Sequence, residues 1–379
     1  MANLLSAGLA YNPYFYATEG LRLLYKRLGM AFYVQRDLAM NKGSGTGDTV
    51  QVRRAQSFAT AAMPIATASF ADVTPTYDNL VINQWRGQGF KLTDKERTLT
   101  PEVFVRDHLA PVANAIADRI DSDLSSLALE CPWIVAADAT NPYKDFPGAR
   151  KILFDNKAPL VNPADYAYMT DGVLQQRYES DPVFAQASTA GDAELQRAGQ
   201  LGVKWGVRIF PNQNATTFTT GTPALTTPVV TAALGATSIN ITGSTGSGTL
   251  KRGAVLTIAG DTQKYAVTAD SAIAAGGTTA TLITPPLALA PTAAAVTFSS
   301  TTATSVGLMF HREAFALVMQ PLEPTGPGIA SATMVETSTG LTLRSRVWAD
   351  GGLGATVWAL DALWGFKTLN PNLAVRIQI

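Results

Sequence analysis

The stretch TPEVFVRDHLAPVANAIADRIDSDLSSL, Thr100 to Leu127, decides how the rest of the chain is read. Leu109, Val112, Ile116, Ile120, Leu124 and Leu127 recur at steps of three and four, which places them on one stripe of an α-helix. Thr100 is suited to cap the helix, Pro101 has no N–H to lose at the first position, and Glu102 meets the positive end of the helix dipole. Pro111 must kink this helix or mark its true start, because its ring clashes with the turn before it. Asp107, Asn114, Asp118, Asp121 and Ser125 are expected largely on the opposite, wetted face. A helix with one apolar stripe needs a surface to lie on. Strand-like sequence on both sides supplies one, and the expected class is α+β.

Upstream, residues 1–46 read as an extended arm and residues 47–99 as a hairpin with flanking strands. GDTVQVRRAQSF, Gly47 to Phe58, alternates apolar and polar residues as a half-buried strand does, and LVINQWRGQGFKLTD, Leu80 to Asp94, reads as its returning partner. The connection, Ala59 to Asn79, is long and carries only Asp72 and Asp78 as charges. So long an excursion implies a functional or partner-bound loop. Within residues 100–216, PADYAYMTDGVLQQRY (Pro163 to Tyr178) reads as a second helix and LGVKWGVRIFPNQ (Leu201 to Gln213) as a strand leading into a turn.

Residues 217–303 change in composition. Thr, Ala, Gly, Ser and Pro dominate, and only Lys251, Arg252, Asp261, Lys264 and Asp270 are charged. TSINIT, GAVLTIAG, QKYAVTA, TTATLIT and AAVTFS are short apolar-alternating runs bounded by turn residues, the pattern of a small all-β module. Val255, Leu256, Ile258, Tyr265, Val267, Leu282, Ile283, Val296 and Phe298 form its expected core. Residues 304–379 regain the mixed, charge-bearing composition of the first 216. SVGLMF reads as a strand, REAFALVMQ as a short helix, TGLTLRSRVWAD as a strand, and Leu373 to Ile379 as a closing apolar strand.

The chain has 379 residues, of which 46% are hydrophobic and only 15% charged, with Lys+Arg and Asp+Glu equal at 29 each. A core of real size is possible, but no basic field exists to gather nucleic acid or anionic lipid. Low charge at zero net charge favours association, so partner subunits are expected to cover much of the surface. Cys131 is the single cysteine, which excludes an intrachain disulfide and a cysteine metal cluster. The opening segment lacks the basic start of a signal peptide, and no apolar run approaches the ~20 residues that span a bilayer. A reducing cytoplasm is the expected place of synthesis, and no membrane partner is expected.

Candidate chemistry is sparse. His311, Arg312 and Glu313 are adjacent, but consecutive residues do not converge on one point, so a structural turn is the expected role. His108, on the long helix, reads as a surface or core-edge residue. Asp118, Asp121 and Asp123 suggest a cation site less well than a solvated helix face. NKGSGTGD, Asn41 to Asp48, lacks the Gly-Lys-Ser/Thr end of a phosphate loop. No catalytic, cofactor-binding or metal-binding residue is assigned, no cofactor is expected, and the chain does not read as an enzyme.

Several stretches, in order, resemble the major capsid proteins of tailed double-stranded-DNA phages, which share the Hong Kong ninety-seven fold. The resemblance is to the podophage coat-protein branch, which carries an inserted domain. GDTVQVRR followed by QGFKLTDKERTLTPEVFVRDHLAPVANAIADRIDSDL resembles the N-terminal arm, the E-loop hairpin and the spine helix. LQRAGQLGVKWGVRIFPNQN resembles the strand before the insert, LMFHREAFALVMQPL the return strand and helix after it, and SRVWADGGLGATVWALDALWGFKTLNPNLAVRIQI the closing peripheral-domain segment. The resemblance covers residues 47–213 and 305–379.

It implies a major capsid protein whose hexamers and pentamers close an icosahedral shell around a double-stranded DNA genome, with peripheral and axial domains and residues 217–303 as the inserted β-domain. It further implies a separate scaffolding protein during assembly, a portal protein at one vertex, a decoration protein as a possible partner, non-specific contact with packaged DNA, assembly in the host cytoplasm and residence in the virion. An encapsulin-like compartment is the alternative, and a β-module surface adhesin a more distant one.

Overall fold

The structure is a computed structural model and describes residues 13–36, 47–54, 63, 76–99, 105–159, 162–186, 201–298, 305–326, 329–336, 339–352 and 354–379. The Thr100 cap with Pro101 and Glu102, most of the Ala59–Asn79 connection and most of the Asn41–Asp48 segment lie outside the described residues.

From the N-terminus the chain forms helix α1 (Pro13–Arg27), then strands β1 (Thr49–Arg54), β2 (Thr76–Val81) and β3 (Gln84–Thr93). The short α2 (Asp94–Leu99) follows, then a wide π-type turn at Val105–Leu109 that runs into α3 (Ala110–Ser126). Next come β4 (Ile134–Ala136), α4 (Asp145–Asp155), β5 (Tyr166–Thr170), α5 (Gly172–Glu179), α6 (Pro182–Ala185), β6 (Val203–Lys204) and β7 (Val207–Pro211). Nine strands then run from β8 (Ala224–Leu225) through β9 (Val229–Val230), β10 (Ser238–Thr242), β11 (Gly246–Leu250), β12 (Val255–Ile258), β13 (Lys264–Val267), β14 (Ser271–Ile273) and β15 (Thr278–Thr284) to β16 (Ala294–Phe298). The chain closes with β17 (Val306–His311), β18 (Phe315–Gln320), β19 (Ala330–Glu336), β20 (Leu341–Asp350), β21 (Ala355–Thr368) and β22 (Ala374–Gln378).

Two compact units result. The first comprises residues 1–23, 36–116 and 317–367, and its centre is a sheet in which β21, fourteen residues long, pairs with β20 along one edge and with β3 along the other. Gly20 of α1 lies so close to Leu343 and Leu360 that an added Cβ would meet both at 3.0 Å, so the helix backbone rests directly on the sheet. The ribbon β1–β2 also belongs to this unit and runs in register from Thr49↔Val81 to Arg54↔Thr76.

The second unit comprises residues 24–35, 117–316 and 368–379. Its main sheet has the order β4-β22-β17-β5-β7-β6. The middle strands β22, β17 and β5 are buried at every position, as a strand covered on both faces must be, and their sequences are correspondingly apolar. Residues 229–298 supply a six-stranded closed barrel, β10-β15-β13-β12-β16-β9, beside the three-stranded sheet β14-β11-β8. The barrel leaves the main sheet after β7 and returns at β17. Both strands flank β5, where Met169 pairs with Phe210 on one side and Leu308 on the other. Two strand spacings, about 10 Å, therefore separate its points of departure and return.

Polar contacts seat the barrel's lower end on its own unit. Arg252 donates to Glu130 Oε1 at 2.9 Å and to the Ser126 carbonyl at 3.2 Å. Gln263 and Asn372 exchange amide hydrogen bonds at 2.9 and 3.1 Å, and Lys264 lies 5.5 Å over the Trp133 ring.

The expected stripe on α3 is buried throughout, and Pro111 falls in the first turn of the α-helix proper, where its missing N–H costs nothing. Other expectations are corrected. Residues 13–27 form a helix in place of an extended arm, because Ala17, Leu21, Leu24 and Leu28 make a helical stripe of their own. The partner of β1 is Thr76–Val81, and Gln84–Thr93 pairs instead with β21. The stretch read as one helix from Pro163 begins as the buried strand YAYMT, and the helix starts only after Asp171, whose side chain accepts from Leu174 N–H. REAFALVMQ is a tight turn at Arg312–Ala314 followed by a strand, since a short continuous apolar run fits a buried strand as well as a helix. Asp121 and Ser125 are buried, contrary to the wetted face expected for them. In the barrel segment, Val255, Leu256, Ile258, Tyr265, Val267, Ile283 and Val296 are buried, whereas Leu282 is exposed and Phe298 half-exposed. Neighbours on one strand face opposite ways, so Leu282 and Ile283 cannot share the core.

Candidate assembly surfaces

His311 is buried, and its Nδ1 accepts the backbone N–H of Glu313 at 3.3 Å, which caps the turn between β17 and β18. The ring meets Tyr166 edge-on at 5.0 Å, and burial lowers the imidazole pKa, so the side chain is held neutral as a capping group. His108 stacks on Phe90 at 5.1 Å. Neither histidine lies in a constellation suited to proton transfer.

The three helix aspartates have separate structural tasks. Asp118 pairs with Arg27, Asp123 with Arg119, and Asp121 accepts the N–H of Gly29 at 2.7 Å. Burial of Asp121 raises its pKa to about 6, opposed by the backbone N–H groups of Gly29, Ala31 and Met30. Among the described residues no group of three His, Cys, Asp or Glu side chains could hold a metal ion.

Two polar clusters with buried carboxylates tie elements together, one strand to strand and one strand to helix. In the first unit, Arg344 grips Asp361 in bidentate fashion at 3.0 and 2.6 Å, Arg346 approaches the same carboxylate at 3.4 Å, and Trp85 Nε1 donates to it at 3.0 Å. These contacts tie β3, β21 and β20 across the sheet. In the second unit, Tyr178 bonds Tyr168 at 2.9 Å and donates to Asp145 at 3.2 Å, with Arg177 at 3.4 Å. Burial raises the Asp145 pKa and pushes both phenols well above their usual range, so the two tyrosines stay protonated as hydrogen-bond carriers.

Among the described residues, several large apolar side chains stay exposed in the single chain. One face of the β3–β21–β20 sheet forms an open groove of about 560 Å³, lined by Gly87, Gly89 and Ala359, by Trp85 and Trp348, and by the charged Lys91, Arg346 and Asp361. Trp85 is 61% exposed although its indole N–H is bonded. The ribbon shows Tyr77, 53% exposed, and Val81, 40% exposed, and 21 residues run beyond its last pair, Arg54↔Thr76. Large exposed side chains of this kind mark surfaces that a partner covers. The sequence singles out the ribbon, but the sheet face escapes its main patterns. The signal for that face is the alternation Trp85, Gly87, Gly89, Lys91, which puts a bare floor and two large side chains on one side of a strand.

No family model matches the sequence, and no curated protein matches it. Solved structures do. A chain from Mycobacterium phage Che8 is 14% identical, with a TM-score of 0.53 over 92% of this chain and 90% of that one. A chain from the capsid of cyanophage P-SCSP1u is 10% identical, with a TM-score of 0.48 over 91% and 85%. The virus-like particle from Pyrococcus furiosus gives 8% identity and a TM-score of 0.41 over 96% and 97%. The fold is mixed α+β, as expected, and is shared with the Che8 chain.

Proposed function

We propose that the chain is the major capsid protein of a tailed double-stranded-DNA phage and that copies of it build the icosahedral shell around the genome. The observation that carries this reading is the match of fold over about nine-tenths of both chains with the Che8 chain. Zero net charge and the exposed Trp85, Tyr77 and Val81 support it, because a shell subunit needs large areas that other copies cover. On this reading the role is structural. Its partners are other copies in hexamers and pentamers, a scaffolding protein during assembly, a portal protein at one vertex, an optional decoration protein, and packaged DNA held without sequence preference. The chain would be assembled in the host cytoplasm and reside in the virion.

The test is expression of the chain with its neighbouring genes, followed by electron microscopy and light scattering. Closed shells of uniform size are expected. A stable monomer that forms no shells even with its scaffold would overturn the reading.

A further inference from the structure

The face of the six-stranded sheet that meets the barrel holds a positive charge with no counter-charge among the described residues. Arg376, in β22, is fully buried. Its Nη2 donates to the Gly253 carbonyl at 3.0 Å, and its guanidinium lies 5.9 Å from the centre of the Phe218 ring. Its Nε and Nη1 are buried and meet no acceptor. Gln378, two residues further and therefore on the same face of the strand, is also buried, and its Nε2 likewise lacks an acceptor.

Among the described residues none offers an anion to this cluster. Glu130 is engaged by Arg252 through one oxygen and by Thr368 through the other. Cys131 lies nearby, but burial pushes its thiol up to about 12 in spite of the Arg376 charge, so it stays neutral at pH 7. Burial draws the Arg376 guanidinium down to about 10, which still leaves it protonated at neutral pH. An uncompensated buried cation is strongly destabilising, so a counter-ion has a large effect here.

We propose that Arg376 Nε and Nη1, with Gln378 Nε2, hold one small monovalent anion of the halide class at the seam between sheet and barrel. Water suits the place less well, because each water brings two protons of its own to a site lined with donors. The anion then acts as a rivet, since Arg376 comes from the sheet and the Gly253 carbonyl it also binds comes from the inserted segment.

The test is thermal unfolding of the full chain in sodium chloride and in sodium gluconate at equal ionic strength. Above the dissociation constant, each tenfold rise in chloride should lower the apparent unfolding constant about tenfold, and gluconate should not. Unfolding that does not respond to chloride overturns the proposal. Gln378→Glu places a carboxylate beside Arg376, so the variant should fold and lose its chloride response; a retained response places the ion elsewhere and overturns the site. Crystals of the unaltered chain soaked in bromide should show an anomalous peak in contact with Arg376 Nε and Nη1. Density at that point without anomalous signal would mean water and would overturn the proposal.

Discussion

The inserted barrel and the β1–β2 ribbon are made of similar residues and differ in whether their hydrogen bonds close. SINIT and TTATLIT in the barrel alternate small polar and apolar residues much as TVQVRR and TYDNLV do in the ribbon. Each of the six barrel strands has two neighbours, so the barrel presents no edge, and its inward residues are buried within the chain. The ribbon has two strands and no third among the described residues, and a pair of strands alone is marginal in water. Closure makes a region complete within one subunit. The ribbon buries Val50 and Leu80 and is held to β21 by Lys367, which donates to the Asn79 carbonyl, but leaves Tyr77 and Val81 uncovered.

The contrast can be broken most severely at α3. Ile120 is fully buried, and Ile120→Asp would bury a charge at a cost of several kcal/mol, so soluble expression should be lost. Normal folding of that variant, measured by circular dichroism and shell formation, would show that the stripe was assigned to the wrong face. Within the barrel, Leu256→Ala opens a cavity and should cost about 2–5 kcal/mol, read as a lower midpoint in urea. An unchanged midpoint would mean that the barrel contributes little to the stability of the chain.

Residues 217–303 made alone should give dispersed amide resonances and a β-type spectrum, though with a lower melting temperature, because the contacts of Arg252, Gln263 and Lys264 are lost. A random-coil spectrum would show that the segment needs its seat to fold. The ribbon should behave in the opposite way. Tyr77→Ser with Val81→Ser should change the stability of the single chain by no more than about 0.5 kcal/mol while sharply reducing shell yield.

The smallest expected effect is a pH dependence. Asp121 has a folded pKa of about 6, above its ordinary 3.8, so the native state holds this proton more tightly than the unfolded chain. Its contribution is present below about pH 4 and is lost as pH rises through about 6, and Asp121→Asn should flatten that part of the stability curve.

The α3 stripe and the barrel strands are legible because burial on one side leaves a period of 3.6 or 2 in the sequence. Where both sides are buried the period vanishes, which is why AFALVM reads as a helix and YAYMT is absorbed into one. Partner choice is harder still. Leu80 to Asp94 reads as the partner of Gly47–Phe58, yet only its first residues pair there, and Gln84–Thr93 pairs with β21, where Trp85 reaches Asp361. The absence of a catalytic centre is an expectation from two histidines and one cysteine. The open sheet face goes unread because two glycines carry no hydropathy signal.

The narrow gap at β5 has a consequence for how such a chain can change over generations. Phe210 and Leu308 flank the same residue, Met169, so the sheet keeps its register whatever is threaded between them. A gene could exchange the intervening module for another of similar span, about 10 Å between its ends, provided that the newcomer also meets Arg376, Asn372 and Glu130, which the present module engages.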